Sequence, residues 1–376
     1  MQSSEIDNLT TNRKFRKSAK QVALAVGVAH LLNDAYASFL HPLLPRLMDK
    51  FGLSITLAAA LAMIFSLSSS IMQPLAGYLA DRFGRKMFVI AGPLISGMFL
   101  SLIGIVPSLS MLLLILMMGG IGSAVFHPPG AAMSARAEEG KGSGLRMSFF
   151  SCCGSLGYAV GPLFIVFLVT TVGLENMWLA FLPAILLAII LVWVLPADGA
   201  KASSFDPPSL VGVLVGLKGP LGVVFLISAL GAFVQRVFMT LSPIISFQSG
   251  VSETIGAVTL SIYLGAQAVG SLFSGWLTDR VDRAHLLAWL TGLSVPTHML
   301  ALWMPQGSGG AFFFAACSGF LNMALLPPIV VMAQEIVPES AAMGSAVVMG
   351  LAWATGSVGL LGTGIMGDMW GPQMAG

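Results

Sequence analysis

The chain is 376 residues long, 56% hydrophobic and only 9% charged, with a formal net charge of +2. Soluble domains carry roughly 25% charged residues, so this composition excludes a soluble enzyme of this length. The apolar pattern predicts eleven membrane-spanning helices, each long enough to cross ~30 Å of hydrocarbon with its backbone groups paired internally. In chain order they cover residues 20–41, 55–79, 87–107, 109–133, 144–171, 175–195, 220–247, 254–278, 285–304, 309–333 and 343–366. The 43 glycines and 20 prolines suit a bundle that needs close helix contacts and kinks.

The segments between these spans set the topology. Of the 18 Lys and Arg residues, all but Arg46, Lys50 and Arg236 precede the first span or follow the second, fourth, sixth and eighth. By the positive-inside rule that face and the amino terminus are cytoplasmic. The charge therefore reports topology and implies no nucleic-acid partner. Residues 1–19 read as a polar cytoplasmic tail without a signal-peptide pattern. Residues 197–218, with Asp206-Pro207-Pro208, read as a cytoplasmic linker between an amino-terminal half at 20–196 and a carboxy-terminal half at 219–376. Cys152, Cys153 and Cys317 lie inside spans without metal spacing and read as packing residues. Neither a metal nor another cofactor is expected.

The two halves repeat each other. Gly77-Tyr78-Leu79-Ala80-Asp81-Arg82-Phe83-Gly84-Arg85 returns about 200 residues later as Gly275-Trp276-Leu277-Thr278-Asp279-Arg280-Val281-Asp282-Arg283. Gly154-Ser155-Leu156-Gly157 returns as Gly356-Ser357-Val358-Gly359, Pro128-Pro129 as Pro327-Pro328, and Pro42 as Pro243. A duplicated membrane bundle is a layout used by transporters, with the site where the repeats meet.

Few charges lie at membrane depth. Asp34 in the first span and Arg236 in the seventh occupy equivalent positions of the repeat. Each costs ~2.5–3.5 kcal/mol at a helix centre, so each is expected to face protein or a water-filled cavity. Two readings compete: a buried ion pair that only joins the halves, or a titrating acid with a fixed cation for substrate. His30 precedes Asp34 by one helical turn and shares its face, which suits a proton relay. Asn33, Tyr36, Gln235 and His127 are further candidates for the cavity wall. Asn33 also fits a helix–helix hydrogen bond, and His127 a cap on carbonyls freed where Pro128-Pro129 end or kink the fourth span. Gly77, Asp81, Arg82, Gly84 and Arg85, with their second copy at Asp279 and Arg280, read as a gating latch. In it Asp81 would accept hydrogen bonds from a helix terminus or from Arg82 and Arg85. Glu335, at the end of the tenth span, reads as an interfacial acid or a gating group. Gly154, Gly157, Gly161 and Pro162, and later Gly356 and Gly359, are expected to pack and bend helices at the seam between the halves.

The run Gly77-x-x-x-Asp81-Arg82-x-Gly84-Arg85-Lys86 resembles the signature of the major facilitator superfamily, and its weaker copy falls where that family has its second. Gly157-Tyr158-Ala159-Val160-Gly161-Pro162 resembles the motif of the family's proton-coupled antiporters. His30-Leu31-Leu32-Asn33-Asp34, Phe39-Leu40-His41-Pro42-Leu43-Leu44-Pro45 and Phe126-His127-Pro128-Pro129-Gly130-Ala131-Ala132 are similar to the fosmidomycin resistance group of bacterial inner-membrane drug exporters. The resemblance implies an all-α membrane protein with the major facilitator fold, two pseudo-symmetric halves of the six-helix type. Here the halves are read as six plus five helices, with the last helix missing from the carboxy-terminal half. It further implies a monomeric, multi-pass, non-enzymatic inner-membrane transporter whose partners are protons, a small-molecule substrate and the bilayer. A transporter of this kind would export drugs or anionic metabolites by alternating access. Alternatives are a facilitator or proton symporter importing sugars or organic acids, and a transport-inactive truncated chain.

Overall fold

A computed structural model describes residues 19–136, 143–196, 217–337, 344–345 and 347–376. The expected tail at 1–19 and linker at 197–218 therefore lie, apart from Ala19, Leu217 and Lys218, outside the described residues. The described residues contain eleven helices long and apolar enough to cross a membrane. In the first half these are α1 (Lys20–Phe51), α2 (Ile55–Phe83), α3 (Arg85–Ile105), α4 (Leu109–Ser134), α5 (Phe149–Val172) and α6 (Leu174–Val194). The second half supplies α7 (Pro220–Gln248), α8 (Glu253–Thr278), α9 (Arg283–Trp303), α10 (Gly309–Ile336) and α11 (Val347–Trp370).

Proline chemistry accounts for the breaks inside three of the spans. The first span runs ten residues past its expected end, but it is broken at Ser38 and Phe39. Pro42 has no N–H for the Ser38 carbonyl, so the helix opens there and restarts at Leu40, where proline fits the first turn. Pro74 interrupts α2 at Met72 in the same way, and Pro327-Pro328 interrupt α10 at Leu325. Pro128-Pro129 neither end nor interrupt α4, which stays helical beyond them.

The halves meet along three pairs of helices: α1 with α7, α2 with α11, and α5 with α8. On the α2–α11 seam Ser66 and Ser357 share a 2.6 Å hydrogen bond, and Gly364 lets α11 approach the backbone of Thr56. The expected seam glycines do something different. A Cβ on Gly157 would sit 2.0 Å from the Leu31 carbonyl oxygen, and one on Gly161 would meet Ser38 and Ala35. Gly356 and Gly359 likewise meet Ala229 and Phe233. These glycines press α5 onto α1 and α11 onto α7, within each half rather than between halves. The reason is geometric: motifs at matched positions pack against matched neighbours, and those neighbours belong to the same repeat.

The two ends of the bundle are packed unequally. At the end away from the Lys/Arg-rich loops, one continuous apolar core joins both halves, with Leu40, Leu44 and Leu47 of α1 against Phe238, Leu241 and Ile244 of α7 in the same cluster. Toward the Lys/Arg-rich end each half has its own core: Val26, Val89 and Phe126 in the first, Val224, Leu287 and Ile329 in the second. The bundle is thus sealed at one end and parted at the other.

Candidate functional site

Between the parted halves lies a cavity with about 260 Å³ of room for water-sized molecules. Its walls carry His30, Asp34, His127 and Tyr158 from the first half, and Gln235, Arg236, Gln267 and Trp353 from the second. Ser69, Ser70 and Gln73 line it from the later part of α2, and Ser151 from the first turn of α5. These positions lie on the Lys/Arg-rich side of the membrane midplane, so the cavity belongs to the parted end.

Asp34 is 4% exposed and is held by two imidazoles. One carboxylate oxygen lies 3.1 Å from His30 Nε2 and the other 3.2 Å from His127 Nε2. Sequence spacing brought His30 to Asp34; only the packing of α4 on α1 brings His127 there. Both rings are oriented from behind. His30 Nδ1 is 2.7 Å from the Phe150 carbonyl, and His127 Nδ1 is 2.7 Å from the Ser123 carbonyl. A carbonyl can only accept, so each Nδ1 carries a proton and each Nε2 is turned to Asp34. The His30 ring also stacks on Phe150, with centroids 3.9 Å apart. Gly154 makes room for the pair, because a Cβ there would lie 2.5 Å from the His30 ring and 2.8 Å from an Asp34 oxygen. The expectation of no metal set rested on sequence spacing. The fold does bring the ligating atoms of His30, Asp34 and His127 within 4.8 Å of one another. The contacts to Asp34 have hydrogen-bond lengths, so the group reads as a hydrogen-bonded triad.

Across the cavity Arg236 is 6% exposed. Its guanidinium lies over the Trp353 ring, 5.8 Å from the centroid, and shares the cavity wall with Tyr158. Its Nε has no hydrogen-bond partner. Among the described residues no carboxylate forms an ion pair with it, and Asp34 is occupied by the imidazoles. The reading as a buried Asp34–Arg236 ion pair is therefore set aside. Gln235 donates to Gln267 Oε1 at 2.9 Å on the same wall.

Two expected wall residues lie elsewhere. Asn33 is fully buried, donating to Asp34 Oδ1 at 3.1 Å and accepting from Ser96 of α3 at 3.1 Å. It braces the acid from behind without lining the cavity. Tyr36 is 1% exposed and donates to the Ala180 carbonyl at 2.7 Å, a tie to α6. On a 3.6-residue helix Asn33 sits about 100° and Tyr36 about 160° round the same way from the Asp34 direction, which turns both into the bundle of the first half. Tyr158, Gln267 and Trp353 were not singled out from the sequence. Tyr158 stood inside a named motif, whereas Gln267 and Trp353 had no local signal.

The loop motif differs between its copies. Asp81 pairs with Arg85 within the loop, and Arg82 is exposed, directed to Tyr78 and Phe83. Gly77 lets α2 approach Pro128, and Gly84 has a left-handed φ of 98°. In the second copy Arg280 folds back onto the Trp276 carbonyl and ring, while Arg283 reaches Glu335 of α10. Asp279 is exposed at the end of α8. None of these pairs crosses between halves. Besides the Ser66–Ser357 hydrogen bond, two carboxylate contacts cross between the halves, both at the sealed end. Arg46 of α1 forks onto Glu253 of α8 at 2.7–2.8 Å, and Asp368 of α11 accepts from the backbone N–H groups of Ile55 and Thr56 that begin α2.

The family model described as Major Facilitator Superfamily matches residues 26–360. The chain is 26% identical over 353 residues to the fosmidomycin resistance protein of Escherichia coli (strain K12), covering 92% of this chain and 86% of that protein. It is 25% identical over 369 residues to the uncharacterized MFS-type transporter YfnC of Bacillus subtilis (strain 168), covering 93% and 87%. Among solved structures it resembles a bacterial homologue of the human lysosomal transporter Spinster in an inward-facing, occupied conformation. That match has a TM-score of 0.77 at 19% identity over 93% of this chain and 82% of the other. The nucleoside transporter NupG matches with the same TM-score at 13% identity, covering 94% and 95%. At these identities the structural matches speak to fold.

Proposed function

The chain belongs to the major facilitator superfamily, and from that premise we propose that it is a proton-coupled secondary transporter exporting small anionic drugs or metabolites across the bacterial inner membrane. The observation that carries this reading is the opposition of the His30–Asp34–His127 triad and an Arg236 left without a carboxylate partner, on facing walls of one cavity. Arg236 is suited to hold an oxyanion, because its unpaired Nε gains a partner when one enters. The parted end, on the Lys/Arg-rich side, makes this the cytoplasm-facing state if the positive-inside rule governs its orientation.

Coupling follows from proton bookkeeping in the triad. Both Nδ1 protons are committed to carbonyls, so each Nε2–oxygen contact to Asp34 is favourable only with one further proton in it. Two contacts can take up two protons. Without them Asp34 is an acceptor for a donor group on the substrate. Protonation removes that acceptor and releases the donor group, so proton and substrate compete, which is the logic of antiport. The substrate this fits carries an oxyanion for Arg236 and a hydrogen-bond donor for Asp34. A bare anion with no donor would be favoured by the added positive charge instead, and would travel with the proton.

The test uses the purified chain in proteoliposomes, with an internal pH dye and fosmidomycin as the first probe, since a relative carries resistance to it by name. Antiport predicts that substrate entering the lumen is exchanged for protons leaving it, so the lumen alkalinises during uptake. Asp34→Asn should abolish the proton signal while the protein stays monodisperse. An unaltered proton signal in that variant would sink the reading.

A further inference from the structure

The polar side chains of the cavity continue into the sealed seam below it. Arg236, Thr240, Pro243 and Phe247 recur at helical spacing on one face of α7. Pro243 and Phe247 abut Pro42 and Pro45 of α1, so this face is the one turned toward α1. His41 precedes Pro42, is 1% exposed and lies one helical turn before Pro45, on the side of α1 that meets α7. Around them the seam is apolar, with Leu40, Leu43 and Leu44 on α1 and Val237, Leu241 and Ile244 on α7.

Three buried polar atoms on this seam have no hydrogen-bond partner: His41 Nδ1, Arg236 Nε and Thr240 Oγ1. Buried polar atoms are nearly always paired, because an orphan gives up its hydration for nothing. Several other buried threonines of this chain bond a backbone carbonyl, as Thr259 does to Ile255 and Thr278 to Ser274, while Ser101, Ser242 and Ser261 share the unpaired state of Thr240. Thr240 does not, and neither does the histidine opposite. Three orphans on one inter-half seam, otherwise lined with leucine and isoleucine, are costly if the seam is permanently dry. They are useful if it opens. The three side chains are a guanidinium, an imidazole and a hydroxyl, all able to donate, with no carboxylate among them. That set recognises an oxyanion.

We propose that His41, Arg236 and Thr240 form a second anion subsite, closed in this structure, which receives the oxyanion of the transported molecule when the opposite end opens. Arg236 then belongs to both subsites: its guanidinium faces the cavity now and the seam after the halves rock, handing the anion from Tyr158 and Trp353 to His41 and Thr240. The proposal rests on the anion-transport reading above, but it makes a claim about a different place, and it does not depend on proton coupling. The Arg46–Glu253 fork and the Asp368 contact to the start of α2 hold this end shut.

The experiment reads thiol accessibility. In a chain with Cys152, Cys153 and Cys317 replaced by serine, Thr240→Cys is labelled with an anionic sulfonatoethyl methanethiosulfonate or its cationic trimethylammonium analogue, with and without Glu253→Gln to weaken the fork. His41→Cys is a second position read the same way, and Leu44→Cys reports opening of the apolar seal itself. The thiol at 240 should be protected in the parent and react at least tenfold faster with Glu253→Gln. The anionic reagent should be preferred about tenfold, and Arg236→Gln should erase that preference. Labelling at 44 without labelling at 240 and 41 would overturn the subsite while leaving alternating access standing. Equal rates for the two reagents would make the seam a water path and overturn the anion assignment. Silence at all three positions would overturn the subsite and the role of the fork together.

Discussion

The two halves place charges of opposite sign at matched positions and then surround them differently. In the first half Asp34 is enclosed by His30, His127 and Asn33, and each of its oxygens has a partner. In the second half Arg236 has the Trp353 ring and an unpartnered Nε. A charge that is fully dressed by its own protein can change state by gaining or losing protons. A charge left incomplete is finished only by something that arrives. On the proposed reading one repeat supplies the switch and the other the receptor, on the same helical plan.

This contrast can be broken at either charge. The largest effect is expected for Asp34→Asn: proton movement linked to substrate should fall to background in the liposome assay, while anion binding at Arg236 survives. Arg236→Gln should do the converse. Losing hydrogen bonds from a charged group costs about 1.5–3 kcal/mol, or roughly 10–100-fold in affinity for an anionic ligand, with a neutral analogue little changed. Calorimetric titration of both ligands reads this directly, and equal losses for the two would remove Arg236 from the site.

The packing glycines sharpen the same comparison. A methyl at Gly157 would strike the Leu31 carbonyl, which is helix backbone and cannot yield. Gly157→Ala should therefore destabilise by about 1–3 kcal/mol, seen as a lowered melting temperature in detergent. The matched Gly359→Ala meets the ring of Phe233, a side chain that can turn, so its loss should be the smaller of the two. A reversed order would mean that the halves are not stabilised as their geometry implies. The smallest effect is expected for Arg283→Gln, whose partner Glu335 is 58% exposed. Such pairs are worth about 0–1 kcal/mol and are screened by salt. A melting shift as large as that of Gly157→Ala would mark this pair as a latch of the closed state.

Much of the fold was legible because membrane helices announce themselves by length and apolarity, and because a duplicated sequence carries its own register. The site was half legible. His30 and Asp34 lie one turn apart on one helix, so their pairing follows from spacing. Asp34 and Arg236 were matched through the repeat. His127 joined the triad only when α4 packed on α1, Gln267 and Trp353 only when α8 and α11 closed the opposite wall, and the orphaned His41 and Thr240 only when α1 met α7.

The spans, the basic face, the repeat and the rare charges at membrane depth all followed from residue chemistry, since each depends on the local cost of placing a group in lipid. Which charges touch, which glycines seal which seam, and which end of the bundle is parted were decided by packing between helices far apart in the chain. Those are long-range contacts, and no local spacing encodes them. The same packing left three polar atoms unpaired on the closed seam, and the proposed second subsite rests on them.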